Sequence, residues 1–338
     1  MEFKQHYPTN IKTYMQKKVI IKDRIYGTHI ITEPLLIELL ESKIVQRLKK
    51  ISQFGIPDKY YHLKSFSRYE HSVGVMILIK TLGGSLEEQA AGLLHDVSHT
   101  AFSHIIDWVI GNEACGESYQ DNHHKKIINS EEIKNILEKY DSSSRIISNY
   151  HNFSLLEKDP PDLCADRVDY ALRELPIPVA KLLFKSLMNN NNEMIFKDKN
   201  SAYIFATNFL KLQKDHWGGF EAVSRYKLFS HALKLAIKEG TINLADFSEN
   251  DQHVIKKLLK TKNPEIKAIL KILSKKKMLF SSTENEITHK KFRHTDPKFM
   301  SSHGVCRLSD ASSKFKDYFE KQKQHNEKGI SVPIFSLK

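Results

Sequence analysis

The sequence is poor in cysteine and has no long apolar segment. Its 338 residues include only three cysteines, Cys115, Cys164 and Cys306, which lie far apart and form no CxxC pair of the zinc-binding kind. Cysteines so few and so far apart indicate a reducing compartment, so we expect a cytoplasmic protein. No apolar run approaches the roughly 18 residues that predict a membrane-spanning helix. The N-terminal residues 1–18 also lack the apolar core of a secretory signal.

Acidic residues are also fewer than basic residues. Asp and Glu number 40 against 52 Lys and Arg, which gives a formal net charge of +12. This excess favours acidic partners such as nucleotides, nucleic acid or an anionic surface, although a basic surface can also serve no specific partner. With 40% hydrophobic and 27% charged residues, the composition is typical of a globular protein.

The pattern along the chain predicts a mostly α fold with a small β element at its start. Residues 17–32 are rich in β-branched residues around Gly27, which predicts a short β-hairpin. Beyond them the apolar spacing becomes helical. Helices are predicted over 33–44, 45–53, 68–82, 86–110, 201–216, 219–239, 255–277 (broken at Pro264) and 309–325, and two or three more within 131–150 and 162–188. An extended stretch, GISVPIF, is predicted near the end.

A polar run at Asn189–Asn192 predicts a turn or linker. We therefore expect a core over residues 1–188 and a C-terminal helical region with a tail over residues 189–338. The polar segment from Ser281 to about Ser302 predicts no definite element. The basic residues of 255–277 fit an interface helix, a phosphate-binding surface or a solvated face.

The predicted helix over 86–110 carries a pattern typical of a metal site. Adjacent His95 and Asp96 offer a nitrogen and an oxygen ligand to one cation, and His99 lies four residues on, near the same helical face. Asp107 lies two further turns along and is predicted to orient His99. A lone His-Asp pair arises by chance and helix histidines are often structural. Burying three unpaired polar groups in this apolar helix, however, costs several kcal/mol, which a shared cation offsets.

The ordered set of His71, His95-Asp96 and Asp166 resembles the H…HD…D signature of HD-domain metal-dependent phosphohydrolases. The segments SRYEHSVG, AGLLHDVSHTAFSH and CADRVDYALRE are similar to the deoxynucleoside triphosphate triphosphohydrolase branch of that superfamily, and the similarity covers roughly residues 20–175. The resemblance implies an HD-domain helical bundle. It also implies a metal held by His71, His95, Asp96 and Asp166, and hydrolysis of a dNTP to a deoxynucleoside and triphosphate.

The same resemblance implies further roles. It makes His99 and Asp107 a catalytic pair, with either His123 or His124 as a further active-site histidine. The residues that it places on the substrate are Gln53, Phe54, Arg68, Arg167, Tyr170 and Glu174. The implied cofactor is a divalent ion, with Mn, Fe, Mg, Zn, Ni and Co left open.

Residue spacing supports part of this assignment. Arg68 precedes His71 by three residues, so it can face the same cleft and offer a planar guanidinium to phosphate oxygens. Asp166, Asp169, Tyr170 and Arg173 share one helix face, a pattern that an ordinary half-buried polar stripe also produces. His104 is predicted to lie on the other side of its helix, in a structural role.

The later segment DHWGGFEAVSRYKLFSHALK matches the branch only loosely, with Arg225, Tyr226 and Lys227 as candidate contacts. A phosphodiesterase or nucleotidase acting on another nucleotide or oligonucleotide therefore stays an alternative. So does a non-catalytic protein that binds nucleic acid or a nucleotide, and a homo-oligomer is left open.

Overall fold

The computed structural model describes residues 17–111, 119–278 and 284–334. Cys115 and nearly all of the N-terminal segment discussed above lie outside these residues. The helices are α1 Pro34–Glu41, α2 Lys43–Arg47, α3 Arg68–Thr81, α4 Leu86–Leu94, α5 Ile105–Val109, α6 Tyr119–Ile128, α7 Glu131–Lys139, α8 Ser144–Ile147, α9 Ala165–Glu174, α10 Ile177–Ser186, α11 Lys199–Leu212, α12 Phe220–Lys238, α13 Asp251–Leu258, α14 Pro264–Leu273, α15 Leu308–Ala311 and α16 Ser313–Glu327. The strands are β1 Val19–Asp23, β2 Gly27–Ile31, β3 Leu187–Asn190, β4 Glu193–Phe196, β5 Asn285–Thr288, β6 Lys298–Ser301, β7 Gly304–Arg307 and β8 Ile330–Pro333.

The fold is mostly α and begins with the predicted β-hairpin. Strands β1 and β2 pair antiparallel from Val19 opposite Ile31 to Asp23 opposite Gly27. Asp23 accepts hydrogen bonds from the backbone N–H groups of Ile25 and Tyr26, which closes the turn. The prediction of a mostly α helical bundle with a short N-terminal hairpin is confirmed.

A capping box fixes the N-terminus of helix α3 at Arg68. Ser67 accepts a hydrogen bond from the N–H of Glu70, and the Glu70 carboxylate accepts one from the N–H of Ser67, which forms a capping box. This cap fixes Arg68 and His71 in the first turn. Helix α3 packs against α4 and α9, so the elements that carry His71, His95 and Asp166 are neighbours.

The predicted single helix over 86–110 is wrong, because α4 ends at Leu94 and α5 begins at Ile105. Side chains distant in sequence bond the backbone C=O and N–H groups that a continuous helix would use. Arg47 donates to the carbonyls of Val97 and His99 at 2.9 and 2.7 Å. Phe102 takes a left-handed φ of 63° and donates its N–H to Asp251 at 2.8 Å. Tertiary contacts therefore override the local helical pattern here.

The predicted 45–53 helix also ends early, because α2 stops at Arg47 and a short 3₁₀ turn follows to Lys50. Helices α3, α11, α12 and α16 lie close to their predicted spans, and the predicted break at Pro264 separates α13 from α14. The extended stretch near the end contains β8, which pairs antiparallel with β5.

The C-terminal half is less purely helical than predicted. Asn189–Asn192 belong to a β-hairpin, and its strands join β6 and β7 in a four-stranded sheet ordered β3-β4-β6-β7. The main hydrophobic core includes residues on both sides of position 188, from Ile25 to Phe315. A second core packs α12, α13 and α14 against α5 and Phe54. The division into residues 1–188 and 189–338 stays a prediction.

Gly74 of α3 gives a test of this packing. A Cβ there would lie 2.0 Å from an Asp169 carboxylate oxygen and 2.1 Å from an Arg173 nitrogen. Both groups are buried and hydrogen-bonded to each other, so neither can move cheaply. We expect Gly74→Ala to lower the free energy of unfolding by about 1–3 kcal/mol, measured by urea denaturation. The matched control is Ser72→Ala on the same helix, where a buried hydroxyl has no hydrogen-bond partner among the described residues. Equal stability of both variants would contradict the analysis.

Candidate metal centre and active-site cavity

Four potential ligand atoms converge at the junction of α3, α4 and α9. His71 Nε2 lies 3.2 Å from His95 Nε2 and 2.9 Å from Asp166 Oδ1. His95 Nε2 lies 3.5 Å from both Asp96 Oδ1 and Asp166 Oδ1. Atoms that share one ion through bonds of about 2.1 Å stand roughly 3 Å apart, so these separations suit a single metal. His71, His95 and Asp96 are all buried.

The hydrogen bonds of the two histidines point to the same conclusion. His71 Nδ1 faces Asp169 Oδ2 at 2.7 Å, and His95 Nδ1 faces the Gly92 carbonyl at 2.8 Å. Both partners only accept, so each Nδ1 carries a proton and each Nε2 is directed inward, where it can offer a lone pair to a metal. Without a metal, a proton on Nε2 compensates the charge of the facing carboxylates, and a divalent ion can take the place of that proton. The donor set therefore fits a divalent metal ion.

The charges of this cluster are mutually stabilising. Burial lowers the pKa of His71, but hydrogen bonds to Asp166 and Asp169 outweigh it and raise the pKa to about 9. Burial raises the pKa of Asp96, but Arg68 and then His95 hold it well below the usual range. Histidine contacts likewise overcome burial and lower the pKa of Asp166. Both ligand carboxylates are therefore ionised at neutral pH, as metal ligation requires.

A buried network holds His71 in place. Asp169 accepts from Arg173 Nε at 2.7 Å and from the Tyr26 hydroxyl at 2.7 Å, while Arg173 also donates to Asp23 at 2.8 Å. Asp23 and Tyr26 belong to the N-terminal hairpin and its turn, so the hairpin supports a ligand of the metal centre. Asp169 and Arg173 are thus buried positioning residues rather than an ordinary polar stripe.

Arg68 faces the same centre, as its spacing predicts. Its Nη1 donates to Asp96 Oδ2 at 2.7 Å and its Nε donates to the Ser103 hydroxyl at 2.9 Å. The side chain is almost fully buried, yet it lines the cavity. The guanidinium therefore fixes Asp96 and still offers N–H groups at the cavity wall.

The structure does not place Asp107 on His99. His99 Nε2 contacts Asp96 Oδ1 at 3.2 Å, whereas Asp107 pairs with His104 Nδ1 at 3.8 Å and accepts the N–H of Tyr119. Helix α4 ends before His95, so the helical spacing behind the prediction does not hold. His104 lines the cavity, and its ring packs edge-on against His99 at 4.7 Å. The imidazole and carboxylate pair at this wall is consequently His104–Asp107.

His123 and His124 of α6 differ in position. His123 stacks on Tyr119 and is half-buried, whereas His124 is buried and packs its ring against Tyr150. Burial, and then the nearby His95, lower the pKa of His124 to about 4. His124 therefore lies on the side of α6 that faces the metal centre. Neither ring lines the cavity itself.

A cavity of about 560 Å³ lies above the metal centre, a size typical of small-molecule sites. Its wall includes all six residues predicted to contact substrate. Tyr170 packs edge-on against Trp217, and Glu174 accepts hydrogen bonds from Trp217 Nε1 and from His216 Nδ1. The predicted substrate-binding residues that line the cavity are Gln53, Phe54, Arg68, Arg167, Tyr170 and Glu174.

Arg167 also stabilises a neighbouring loop. It donates to the carbonyls of Asp162 and Lys158 at 2.7 and 3.0 Å. Among the candidates of the later helix, Arg225 is fully buried and bonds the carbonyls of Tyr60 and Leu273, so it is structural. Tyr226 lines the cavity and donates to the Phe54 carbonyl. Lys227 pairs instead with Glu286.

Several cavity residues were missed by reasoning from the sequence. His216 contacts the Tyr61 hydroxyl at 2.9 Å, and Glu157 has its pKa raised to about 7 by burial and then by Asp166. Residues 290–294 close another part of the wall. Two signals were available: the His-Trp pair in DHWGG and the basic, aromatic run HKKFRH.

Asp251 at the start of α13 is another missed residue. Its carboxylate accepts the N–H groups of Ser52 and Phe102, both at 2.8 Å. It thereby ties the segment that carries Gln53 and Phe54 to the turn after His99. The C-terminal half of the chain thus helps to position the cavity wall.

Comparison with known proteins agrees with this geometry. The HD domain family matches residues 68–174. The chain is 36% identical over 323 residues to the uncharacterized protein YdhJ of Bacillus subtilis, covering 93% of this chain and 98% of that protein. It is 32% identical over 237 residues to the metal-dependent phosphohydrolase cns2 of Cordyceps militaris, covering 66% and 68%. It is 33% identical over 112 residues to the human deoxynucleoside triphosphate triphosphohydrolase SAMHD1, covering 29% and 18%.

The chain therefore belongs to the HD-domain superfamily of metal-dependent phosphohydrolases. The predicted divalent metal cofactor is confirmed at the level of this class, with its identity open. None of the helices in the described part of the chain has the length and apolar character that a membrane crossing requires.

The metal centre is testable by direct binding. We expect the double change His95→Ala and Asp96→Ala to abolish high-affinity manganese binding, measured by calorimetry and by metal content, because it removes half of the ligand set. The control His123→Ala keeps all four ligands and should bind as the wild type does. Undiminished binding by the double variant would place the metal elsewhere.

The buried His124 makes a pH prediction. Its folded pKa of about 4 lies below the unfolded value of about 6.5. Its contribution to stability is therefore complete above pH 6.5 and is lost as the pH falls towards 4, amounting to about 2 kcal/mol by pH 5. His124→Gln should lose correspondingly less stability between pH 7 and pH 5 in urea denaturation. The same pH dependence in both proteins would contradict this assignment.

Proposed function

We propose that this phosphohydrolase cleaves deoxynucleoside triphosphates to a deoxynucleoside and triphosphate. The observation that carries the proposal is the convergence of His71, His95, Asp96 and Asp166 beneath a cavity lined by arginine, tyrosine and glutamate. The similarity to a named triphosphohydrolase supports the choice of substrate.

A divalent ion bound at the four ligands would polarise a phosphoryl oxygen and lower the pKa of an attacking water. The ligand residues must stay ionised or neutral in the forms that bind it. His71 Nδ1 donates to Asp169, which leaves Nε2 as the nitrogen that would face the metal, and Arg68 donates to Asp96, which keeps that carboxylate ionised.

The arginines of the cavity wall would neutralise the negative charge of the substrate phosphates. Two of the five N–H groups of Arg68 are used by Asp96 and Ser103, which leaves donors for a phosphate oxygen beside the metal centre. Arg167 lines the cavity one residue after Asp166. Fixed cations at these positions stabilise the charge that develops in phosphoryl transfer.

We assign proton transfer to His104, with Asp107 as its orienting carboxylate. The leaving 5′ oxygen of the sugar needs a proton, and an imidazole at the cavity wall is suited to supply one. His99 is almost completely buried, and burial together with the charge of Arg68 lowers its pKa well below the usual range. His99 is therefore neutral and helps to hold Asp96 rather than donating the proton.

The sugar and base would occupy the far part of the cavity. Tyr170 and Trp217 form an aromatic corner there, and Glu174, fixed by His216 and Trp217, lies beside them. Gln53 and Phe54 line the same region. An aromatic corner next to hydrogen-bonding groups suits a nucleoside.

The test is to incubate the protein with manganese or magnesium and each dNTP and to separate the products by chromatography. Release of triphosphate and deoxynucleoside is expected. The His95→Ala and Asp96→Ala double variant should lose activity completely. His104→Ala should lower kcat about 100-fold or more with metal binding unchanged.

The same assay distinguishes the alternatives. Deoxynucleoside monophosphates, cyclic dinucleotides and short oligonucleotides are tested in parallel. Product formed from one of these compounds alone would show that the protein is a nucleotidase or a phosphodiesterase and not a triphosphohydrolase. Stoichiometric nucleotide binding without product, with metal bound, would indicate a sensor. Salt-sensitive binding of nucleic acid without turnover would indicate a binding protein that uses the basic surface.

A further inference from the structure

The turn that follows His99 has an unusual backbone conformation. Phe102 and Ser103, in the segment between α4 and α5, have left-handed φ values of 63° and 50°. The other non-glycine residues with positive φ, among those that the structure describes, are one aspartate and two asparagines, residue types that tolerate this conformation. Phenylalanine and serine adopt it only where surrounding contacts impose it, and such positions are concentrated at functional sites.

Contacts from the C-terminal half of the chain impose this conformation. Asp251 at the start of α13 accepts the N–H of Phe102 at 2.8 Å, and the N–H of Ala101 donates to the carbonyl of Phe247 at 2.8 Å. The Phe102 ring is fully buried and packs edge-on against Phe229 and Phe247, with ring centroids 4.9 and 6.1 Å apart. The turn is therefore held by elements that lie far from it in the sequence.

This conformation places the Ser103 hydroxyl against Arg68. The hydroxyl donates to the carbonyl of Ser52 at 2.7 Å and accepts from Arg68 Nε at 2.9 Å. Because the Ser52 carbonyl only accepts, it takes the hydroxyl proton, and the oxygen lone pairs are left for the guanidinium. Ser103 is only 1% exposed, so water does not compete for either bond.

The segment that orients this hydroxyl also fixes the backbone of Arg68. The N–H of Arg68 donates to the carbonyl of Ile51 at 2.9 Å, and the N–H of Ser52 donates to Asp251 at 2.8 Å. With its two oxygens, Asp251 thus holds both the turn that carries Ser103 and the segment that orients its hydroxyl. A chain of hydrogen bonds runs from Asp251 through Ser52 and Ser103 to Arg68.

The Arg68 guanidinium needs a second anchor of this kind. Its Nη1 donates to Asp96 Oδ2 at 2.7 Å, and a single bond of this kind would let the planar group turn about that contact. The bond from Nε to Ser103 is the second fixed point. Together the two bonds set the plane of the guanidinium and hence the direction of its remaining N–H groups.

We propose that Ser103 is a positioning residue, which fixes the Arg68 guanidinium in the plane that binds a substrate phosphate. Ser103 does not line the cavity, so it acts through Arg68 and not on the substrate. This inference rests on the proposed function, because it takes Arg68 as a phosphate-binding group.

The experiment measures binding of inorganic triphosphate by calorimetry in excess magnesium, so its readout does not depend on turnover. Two variants remove the hydroxyl: Ser103→Ala keeps the unfavourable positive φ, whereas Ser103→Gly relieves it. We expect both variants to bind triphosphate about tenfold more weakly than the wild type. Manganese binding should be unchanged, because all four ligands remain.

The matched control is Ser98→Ala. It removes another buried hydroxyl from the segment between α4 and α5, one with no hydrogen-bond partner within the described ranges. This control should bind triphosphate as the wild type does. Wild-type affinity of Ser103→Gly would overturn the proposal, because the serine would then matter only for the conformation of the turn. Absence of triphosphate binding by the wild type would also overturn it.

A second measurement tests whether Ser103 acts through Arg68. In an Arg68→Gln background, adding Ser103→Ala should cause no further loss of triphosphate affinity, because the group that the hydroxyl positions is gone. A further loss of the same size, or a parallel loss of manganese affinity in Ser103→Ala alone, would contradict the assignment. A failure of every dNTP to be hydrolysed would leave these binding tests intact, so the two proposals can fail separately.

Discussion

The structure depends on one electrostatic constraint: the Nε2 atoms of two histidines and two carboxylates are directed at one point, so positive charge must lie between them. Without a metal, protonated His71 and Arg68 compensate the carboxylates of Asp166 and Asp96, and a divalent ion can take the place of the His71 proton. The surrounding hydrogen bonds enforce the arrangement, because Asp169 and the Gly92 carbonyl fix the protons of both histidines on the outer nitrogen. A bound metal would further offset the cost of burying these polar groups in an apolar interior.

The rest of the fold serves to hold that point rigid. In the N-terminal hairpin, Tyr26 donates to Asp169, and Asp23 accepts from Arg173, which also donates to Asp169. The C-terminal half reaches the cavity through Asp251 and through residues 290–294. The site is therefore supported by segments on both sides of the HD core, and the hydrophobic core accordingly crosses the predicted division at residue 188.

Much of the site was accessible from the sequence because metal ligation needs particular residue types. An imidazole or a carboxylate at a ligand position has few substitutes, so the ordered His, His-Asp and Asp pattern pointed to the metal centre before any geometry was known. Arg68 was predicted for a similar reason, since its three-residue offset from His71 holds in a capped helix. The hairpin and the long helices α3, α12 and α16 followed from their periodicity and caps.

The sequence by itself thus determined the class of fold, the candidate ligand set and the chemistry that this set can support. The tertiary structure alone decided that α4 ends before His95, because Arg47 and Asp251 bind the backbone groups that a helix would use. It therefore decided that Asp107 pairs with His104 and not with His99. It also brought Glu174 to His216 and placed residues 290–294 on the cavity wall. These contacts join residues far apart in the chain, and local spacing carries no information about such pairs.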